Sequence, residues 1–374
     1  MIEIINHSQA ALVQIATPHS FGTGFYLKKY NLILTNEHIV RESRNVAVMG
    51  TGFPRQMIRV LFWDARLDLA FLEAPEHIAS EGLDMNLTAG RTEDTVLAIG
   101  HSFGKKLVWK SGKIINSAHE EEGVSFWEHD AVLPPANSGG PLLDTLGKVV
   151  AINTFIVRNG KHFGFALPAS IIEASISKFI ATDRQISGNC EYCRELVTFQ
   201  SIQRNKCPHC RETIVLPSTI EPYEPHGIAK TIENIIEMAG HEVELSRYGK
   251  NNWMIQQGSA TINIAYYHKK GLITGDAYLC RLPSKKEGKN DGQLARIYQY
   301  LLEQNYEIEG LNFSVKGEDI ILSLLIHDRY LNVETGTILF KHLFEKADYH
   351  DNMLVEEYGA TWRKNSYELE LNDQ

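Results

Sequence analysis

Short apolar runs alternate with turn residues along the first half of the chain. The runs include ALVQIAT, IRVLFW, TVLAIG and KVVAINTFIV, and turn residues separate them at short, fairly even intervals. This spacing is typical of an all-β barrel or sandwich. The segment closes with a predicted helix whose apolar residues recur at helical spacing: Ile172, Ile176, Phe179 and Ile180. We therefore predict an all-β domain over residues 1–186.

The pattern changes after about residue 226. IAKTIENIIEMAG predicts a helix that ends at Gly240, and the strand-like runs TINIAYYH and LITGDAYLCRLP follow it. A second predicted helix, DGQLARIYQYLLEQN, precedes two more strand-like runs and a last helix from about Glu334 to Tyr358. The apolar faces predicted for the first two helices are Ile228, Ile232, Ile235 and Ile236, and Leu294, Ile297, Tyr298, Leu301 and Leu302. This order predicts an α+β domain over residues 226–374.

The segment between these domains holds four of the five cysteines. They are spaced as C-x2-C-x13-C-x2-C: Cys190, Cys193, Cys207 and Cys210. Two such turns each present two thiolates, and four sulfur ligands complete a closed tetrahedral site for Zn²⁺. We predict a small zinc ribbon over residues 187–215, with one structural zinc per chain; the alternative is four unrelated buried thiols. Closely spaced prolines then predict a linker over residues 216–225.

Composition narrows the class of partner. The 374 residues are 43% hydrophobic and 22% charged, with a formal net charge of -9, so a nucleic-acid backbone would be repelled on average. No apolar run approaches the roughly 20 residues that span a bilayer. The N-terminal stretch carries an acidic residue and no basic segment before an apolar core. We therefore expect no nucleic acid or membrane partner, and a cytoplasmic protein.

Candidate chemistry centres on the stretch PPANSGGPLLD, which contains Ser138. A serine hydroxyl needs a base to take its proton and a carboxylate to orient that base. LILTNEHIV carries His38 at the end of an apolar strand, and DARLDLAFLEA carries Asp68 at the head of another. Asp64 is an alternative carboxylate. We expect the two glycines after Ser138 to let a substrate backbone pass close to it.

Six motifs occur in one order along the chain: GTGFYL with ILTNEHIV, then DLAFL, AIGHSFG, NSGGPLLD, GKVVAINTF and FGFALP. Over about residues 8–180 the chain resembles the protease domain of the trypsin-like HtrA group. The resemblance implies a chymotrypsin-like double β-barrel and a serine endopeptidase that acts on proteins or peptides without a catalytic cofactor. It makes His38 the general base, Asp68 its orienting carboxylate and Ser138 the nucleophile. The backbone N–H groups of Ser138 and Ala136 would form the oxyanion hole.

Two further positions follow from this resemblance. Ala136 stands where the family usually has glycine, and its Cβ restricts the peptide orientation that directs an N–H into the hole. The alternative reading is therefore an inactive or partner-activated protease-fold scaffold that binds peptides or client proteins. Val132, six residues before the nucleophile, would line the primary pocket and favour cleavage after small or medium aliphatic residues. Four more residues are expected to have structural rather than catalytic roles: Asn36, Glu37, His101 and Thr154.

The C-terminal domain carries a second resemblance. The order of its elements and the phrase LLEQNYEIEGLNFSVKGEDIILSLLIH, with the helix that follows, look like the YbjN and type III secretion chaperone-like group over about residues 226–360. The resemblance implies an interaction module that binds a protein partner or self-associates. The alternative is a generic α+β domain with no transferable role.

Overall fold

The computed structural model describes residues 2–51, 53–88, 90–102, 106–133, 138–158, 161–283 and 291–363. The chain divides into two compact units, with the boundary between Tyr223 and Glu224. Each unit has a hydrophobic core of its own. Among the helices in the described ranges, none has the length and apolar character needed to cross a membrane.

The first unit opens with a short helix, six strands and a one-turn helix. These are α1 (Ile2–Gln9), β1 (Leu12–Ala16), β2 (Phe21–Leu27), β3 (Leu32–Thr35), α2 (Glu37–Val40), β4 (Asn45–Gly50), β5 (Phe53–Asp64) and β6 (Leu69–Glu73). The antiparallel order is β4-β1-β2-β3-β6, and β5 pairs with both β4 and β6. Because β5 closes the ring, these strands form a first barrel.

A second closed barrel follows in the same unit. Its elements are β7 (Thr95–Ser102), β8 (Lys106–Glu121), β9 (Val124–His129), β10 (Pro141–Leu143), β11 (Val149–Arg158) and β12 (Lys161–Pro168), followed by α3 (Ala169–Ile180). The strands close in the order β10-β11-β12-β9-β8-β7. Phe25 and Phe62 of the first barrel share one buried cluster with Leu97 and Phe165 of the second. The predicted double β-barrel is confirmed.

Helix α3 packs on this double barrel with one narrow face. Ile172, Ile176 and Phe179 are fully buried, whereas Ile180, predicted on the same face, is 39% exposed. Successive residues lie about 100° apart around a helix, so Ile180 turns away from the face that Phe179 buries.

The cysteine segment adds two short strands to the first barrel. They are β13 (Ser187–Asn189) and β14 (Leu196–Thr198), and β13 pairs parallel with β5 at Phe62 and Trp63. A small core of Val197, Ile214 and Leu216 surrounds the cysteines. Within the segment predicted as a linker, Leu216 is fully buried and Ile220 packs against the first barrel.

The second unit combines one antiparallel sheet with helices. Its elements are α4 (Ile228–Met238), α5 (Val243–Ser246), β15 (Asn252–Gln257), β16 (Ala260–Tyr267), β17 (Leu272–Arg281), α6 (Asp291–Glu307), β18 (Leu311–Lys316), β19 (Asp319–His327), α7 (Val333–Glu356) and β20 (Thr361–Trp362). The sheet order is β15-β16-β17-β19-β18, and β20 pairs with β17. Helices α4, α6 and α7 contribute buried residues to the same core as the sheet.

The buried face of α6 differs from the predicted one. Leu294, Ile297 and Leu301 are buried as expected, but Tyr298 is 44% exposed and Leu302 is 71% exposed. The helix buries a stripe of residues spaced i, i+3 and i+7. Tyr298 and Leu302 each follow a residue of this stripe by one position, and they lie beyond the edge of the buried stripe. Periodicity identified the helix but placed its apolar face too far around.

Candidate active site

His38 lies where the first barrel ends a strand and begins the one-turn helix α2. Its ring Nδ1 is 2.9 Å from each carboxylate oxygen of Asp68. Its backbone N–H donates to Asp68 Oδ1 at 3.1 Å. The Asp68 carboxylate therefore fixes both the ring and the backbone of His38, and Nδ1 is the nitrogen that carries the donated proton.

Asp68 has an uncommon backbone conformation. Its φ is +49°, in the left-handed region that residues with a side chain seldom adopt. The Asn36 side-chain amide donates to the carbonyl of Asp68 at 2.8 Å, and the Thr154 hydroxyl donates to its Oδ2 at 2.6 Å. Strain of this kind persists where the surroundings fix the residue, and such positions cluster at functional sites.

The charges of the pair support each other. Burial opposes ionisation of Asp68, but hydrogen bonds from His38 and Thr154 outweigh it and hold the pKa of the carboxyl below its usual range. Burial also opposes a charged His38, but the hydrogen bond and the charge of Asp68 outweigh it, with help from Glu37, and raise the pKa of the imidazole. The site is therefore built to carry an anionic Asp68 and to stabilise an imidazolium.

The residues expected to be scaffold have identifiable roles. Glu37 is buried, and burial raises its pKa even though the Arg41 guanidinium pairs with it at 2.6 Å. Burial lowers the pKa of His101 to about 4, so this ring is neutral at ordinary pH. Thr154 is closer to the chemistry than sequence reasoning indicated, because its hydroxyl touches the Asp68 carboxylate. This hydrogen bond helps to fix the orientation of the carboxylate.

The Ser138 loop is anchored to both barrels. The carbonyl of Ser138 accepts the Thr23 N–H at 3.0 Å, and the Gly139 N–H donates to the Asn153 carbonyl at 3.1 Å. Gly139 has a φ of +83°, and a Cβ there would lie 2.2 Å from the Thr23 carbonyl and 2.5 Å from the Thr35 hydroxyl. This glycine is therefore required by a close approach within the protein, and the passage of a substrate backbone beside it stays a prediction.

The contacts of Ser138 differ from those of Asp68. Ser138 is 8% exposed. Within the described ranges, no hydrogen bond joins its hydroxyl to the His38 ring. Ala136, predicted to contribute to the oxyanion hole, lies outside the described residues.

Val132, the predicted pocket residue, lines a small cavity of about 10 Å³. That volume is close to what one water molecule occupies. His129 and Thr154 line the same cavity. Burial lowers the pKa of His129 to about 4, so a neutral imidazole faces the space beside Val132. Sequence reasoning missed His129 because no motif marks it within β9.

Asp64, the alternative carboxylate, serves a different purpose. Its Oδ1 accepts the backbone N–H groups of Arg66 and Leu67, each at 3.0 Å. Its Oδ2 accepts a hydrogen bond from the Asn189 side chain. Asp68, and not Asp64, contacts His38 in the structure.

The four ribbon cysteines converge. The ligand sulfur atoms of the cluster all lie within 4.8 Å of one another, and the Cys190–Cys210 and Cys193–Cys207 sulfurs are 3.6 Å apart. A tetrahedral Zn²⁺ with Zn–S bonds of about 2.3 Å requires sulfurs about 3.8 Å apart. The cluster therefore fits one tetrahedral metal ion.

The two halves of the cluster repeat each other. They read CEYCRE and CPHCRE, and in each the residue after the second cysteine donates its N–H to the carbonyl of the first. Arg194 and Arg211, at this shared position, have φ values of +66° and +65°. We call these turns the first knuckle (residues 190–195) and the second knuckle (residues 207–212).

Comparison with known proteins agrees with the double barrel. Residues 22–152 match the family of the trypsin-like peptidase domain. The chain is 30% identical over 178 residues to a probable periplasmic serine endoprotease DegP-like of Chlamydia trachomatis, covering 44% of this chain and 35% of that protein. It is 28% identical over 295 residues to Serine protease HTRA1 of Xenopus laevis, covering 68% of this chain and 61% of that protein.

A solved structure of the HtrA-type protease AlgW with a tripeptide is also similar. Its TM-score is 0.46 and its identity 24%, over 50% of this chain and 66% of that chain. This chain spans only about a third of the length of the first DegP-like relative.

The cytoplasmic location expected from the sequence is wrong by this comparison. Several of the relatives are named periplasmic, including those from two Chlamydia species and Bartonella henselae. A transport signal is a segment separate from the folded domain, so the composition of that domain does not fix its compartment. The prediction of a trypsin-like serine endopeptidase domain in the N-terminal part of the chain is confirmed by the match and by the serine endoprotease relatives.

Proposed function

We propose that this protein is a serine endopeptidase in which Ser138 attacks the peptide carbonyl, His38 is the general base and Asp68 orients that base. One observation carries the proposal: the Asp68 carboxylate holds the His38 ring by Nδ1. That arrangement leaves Nε2 free to accept a proton. The Ser138 loop is docked against Thr23 and Thr35, on the strands that lead to His38.

The reaction follows from these positions. Ser138 Oγ bonds to the carbonyl carbon of the substrate while its proton passes to Nε2 of His38, and Asp68 stabilises the imidazolium. The negative charge moves to the carbonyl oxygen, to which the backbone N–H groups of Ser138 and Ala136 would donate hydrogen bonds. The C–N bond then breaks as His38 gives its proton to the leaving amine. His38 then takes a proton from a water molecule, whose oxygen bonds to the acyl carbon; the bond from that carbon to Ser138 Oγ breaks, His38 returns the proton to Oγ, and the carboxylic acid product leaves.

The alternative function is a partner-activated scaffold. The missing hydrogen bond between Ser138 and His38, noted above for the described residues, is the observation that favours it. Catalytic hydrogen bonds are, however, often long before substrate binds and tighten in the complex. We therefore favour an enzyme whose serine side becomes fully aligned when substrate fills the site.

Primary specificity is proposed from Val132 and the size of its cavity. Space for about one water admits only a small side chain without rearrangement. Small aliphatic residues should precede the cut. A library of peptides that vary at this position measures the preference, and dominant cleavage after Arg or Lys would contradict it.

We further propose that the cysteine cluster holds one structural zinc. Four sulfur ligands leave no open position for a catalytic water, so the ion would contribute folding energy and no chemical step. The segment has only a small core of its own. Catalysis in the first unit requires no cofactor in this scheme.

The second unit is proposed as a protein-binding or self-association module that brings substrates or a partner to the protease. Its resemblance to the chaperone-like group stays a prediction. Tethering through such a unit raises the local concentration of substrate without a new contact at the active site. Chemical cross-linking of the full chain tests self-association, and a concentration-independent monomer would limit the module to other partners.

Ser138→Ala in the full chain tests the proposed activity directly. The variant should lose hydrolysis of casein while its circular dichroism spectrum and thermal unfolding stay those of the wild type. An unchanged rate of hydrolysis in the variant would remove Ser138 from the mechanism.

A further inference from the structure

We propose that Asn189 is a positioning residue for the catalytic pair, so that the metal in the two knuckles sets the geometry of Asp68. This inference rests on the proposed protease function. Asn189 is the last residue of β13 and stands directly before the metal-ligand residue Cys190. Its side-chain amide donates to Asp64 Oδ2. A single residue thus joins the metal site to the turn that ends at Asp68.

Asp64 is the first residue of the turn that ends at Asp68, and its carboxylate stabilises that turn. The other oxygen of its carboxylate accepts the N–H groups of Arg66 and Leu67. The Asp68 N–H then donates to the Ala65 carbonyl at 3.4 Å, which is long for a hydrogen bond between backbone groups. The left-handed Asp68 therefore depends on the turn before it, and the turn depends on how the Asp64 carboxylate is held.

Packing does not hold the turn on two of its sides. A cavity of about 560 Å³ lies along Trp63, Ala65 and Arg66 and reaches the first knuckle at Glu191. Another of about 280 Å³ lies between Asp64, Leu67, helix α3 and the first knuckle. On these two sides directed hydrogen bonds hold the turn, and on its inner side Leu67 packs against the core.

Asp68 at the end of the turn is held by His38, Asn36 and Thr154, and two further hydrogen-bonded contacts hold the residues before it. Asn189 fixes the start of the turn through Asp64. The Arg66 guanidinium fixes the middle by donating to the carbonyls of Glu122 and Gly123 at 2.7 and 2.6 Å. The contact through Arg66 lies within the two barrels, whereas the contact through Asn189 connects the turn to the cysteine segment.

The metal determines how firmly Asn189 is placed. The segment has a small core, and in such segments the bound metal supplies much of the folding energy. Loss of the metal should therefore loosen Cys190 and, next to it, Asn189, which directly follows the two β13 residues that pair with β5. The expected consequence is a less well-placed Asp68 and a His38 that loses part of its carboxylate partner.

The repeated knuckles provide a matched control. Lys206 stands before Cys207 as Asn189 stands before Cys190, but its side chain bonds Thr213 within the segment. Lys206→Ala therefore changes the same position of the second knuckle without touching the Asp64 turn. It should leave the active site as it is.

The experiment compares full-length wild type, Asn189→Ala and Lys206→Ala. Three quantities are measured for each: zinc per chain, kcat and KM on a short peptide, and the pKa of His38 by NMR. We expect Asn189→Ala to keep its zinc, to lower kcat about tenfold with little change in KM, and to lower the pKa of His38. The other charged neighbours of that ring, Glu37 and Arg41, are unchanged in both variants.

Wild type stripped of zinc with a chelator and then reloaded provides a second route if Asn189→Ala does not fold. Stripping should lower the pKa of His38, and reloading should restore it. Wild-type kcat and His38 pKa in both Asn189→Ala and the stripped protein would overturn the inference while leaving the protease function intact. A wild type that hydrolyses nothing would instead refute the proposed function.

Discussion

The Asp68 side and the Ser138 side of the candidate active site are held in different ways. Asp68 receives hydrogen bonds from the ring and backbone of His38, from Asn36 and from Thr154. Ser138 is fixed by its backbone, through Thr23, and its hydroxyl has no bond to His38 among the described contacts. In the proposed mechanism, the base His38 is therefore organised before substrate arrives, whereas the nucleophile Ser138 is placed by its loop and aligned when substrate binds.

The largest effect should come from breaking the Asp68 side. Asp68→Asn keeps the shape of the side chain but removes the charge and favours the wrong imidazole tautomer, so kcat should fall by about 10⁴. Steady-state hydrolysis of a short peptide measures the loss. Asp64→Asn is the matched control, because Asp64 does not contact His38, and it should cost orders of magnitude less. Equal losses in the two variants would contradict the assignment of Asp68.

The position of Ser138 can be disturbed by a substitution in the backbone of its loop. In Gly139→Ala the new Cβ would meet the Thr23 carbonyl and the Thr35 hydroxyl, so the loop must move and take Ser138 with it. Overpacking of this kind costs about 1–3 kcal/mol of stability, and kcat should fall more than KM changes. Thermal unfolding and kinetics measure the two effects.

Gly310→Ala separates crowding from backbone strain. Gly310 also has a positive φ, of +78°, but a Cβ there would meet nothing within 4 Å. It lies in the second unit and should show the conformational cost alone, with unchanged kcat. A Gly139→Ala protein as active as Gly310→Ala would show that the loop tolerates the shift.

A smaller effect should follow from removing the hydrogen bond between Thr154 and Asp68. Thr154→Ala removes the hydroxyl that donates to Asp68 Oδ2, and losing one hydrogen bond to a charged group should lower kcat about tenfold. Thr154→Ser keeps the hydroxyl and should recover most of the rate. If serine recovers nothing, the lost methyl packing and not the hydrogen bond explains the effect.

The smallest predicted effect is a shift in the pH dependence of kcat/KM. His38 must be neutral to act as a base, and Asp68 raises its pKa above the ordinary 6.5. Activity should therefore fall as pH decreases through that raised value. Removing the Thr154 hydroxyl weakens the placement of Asp68 and should move the acid limb of kcat/KM to lower pH. An acid limb that moves to higher pH would reverse the assigned sign.

Motifs in the sequence were sufficient to predict the double barrel, because short apolar runs and ordered signatures are local properties. The pairing of His38 with Asp68 followed from these motifs, but two contacts across longer distances were not predicted: Thr154 reaches Asp68 across 86 positions and Asn189 reaches Asp64 across 125. Periodicity found α6 but not its buried face, since the edge of a helix stripe depends on the neighbouring sheet. The crowding of Gly139 against Thr35 was not predicted either, because it exists only in the folded chain.

Covalent labelling of Ser138 most directly tests its proposed role as the nucleophile that His38 activates. Wild-type protein is treated with a fluorophosphonate, digested and sequenced by mass spectrometry, with His38→Ala protein treated in parallel. The account predicts one adduct, on Ser138, that forms far more slowly in His38→Ala. An adduct on another serine, or equal labelling of Ser138 without His38, would contradict it.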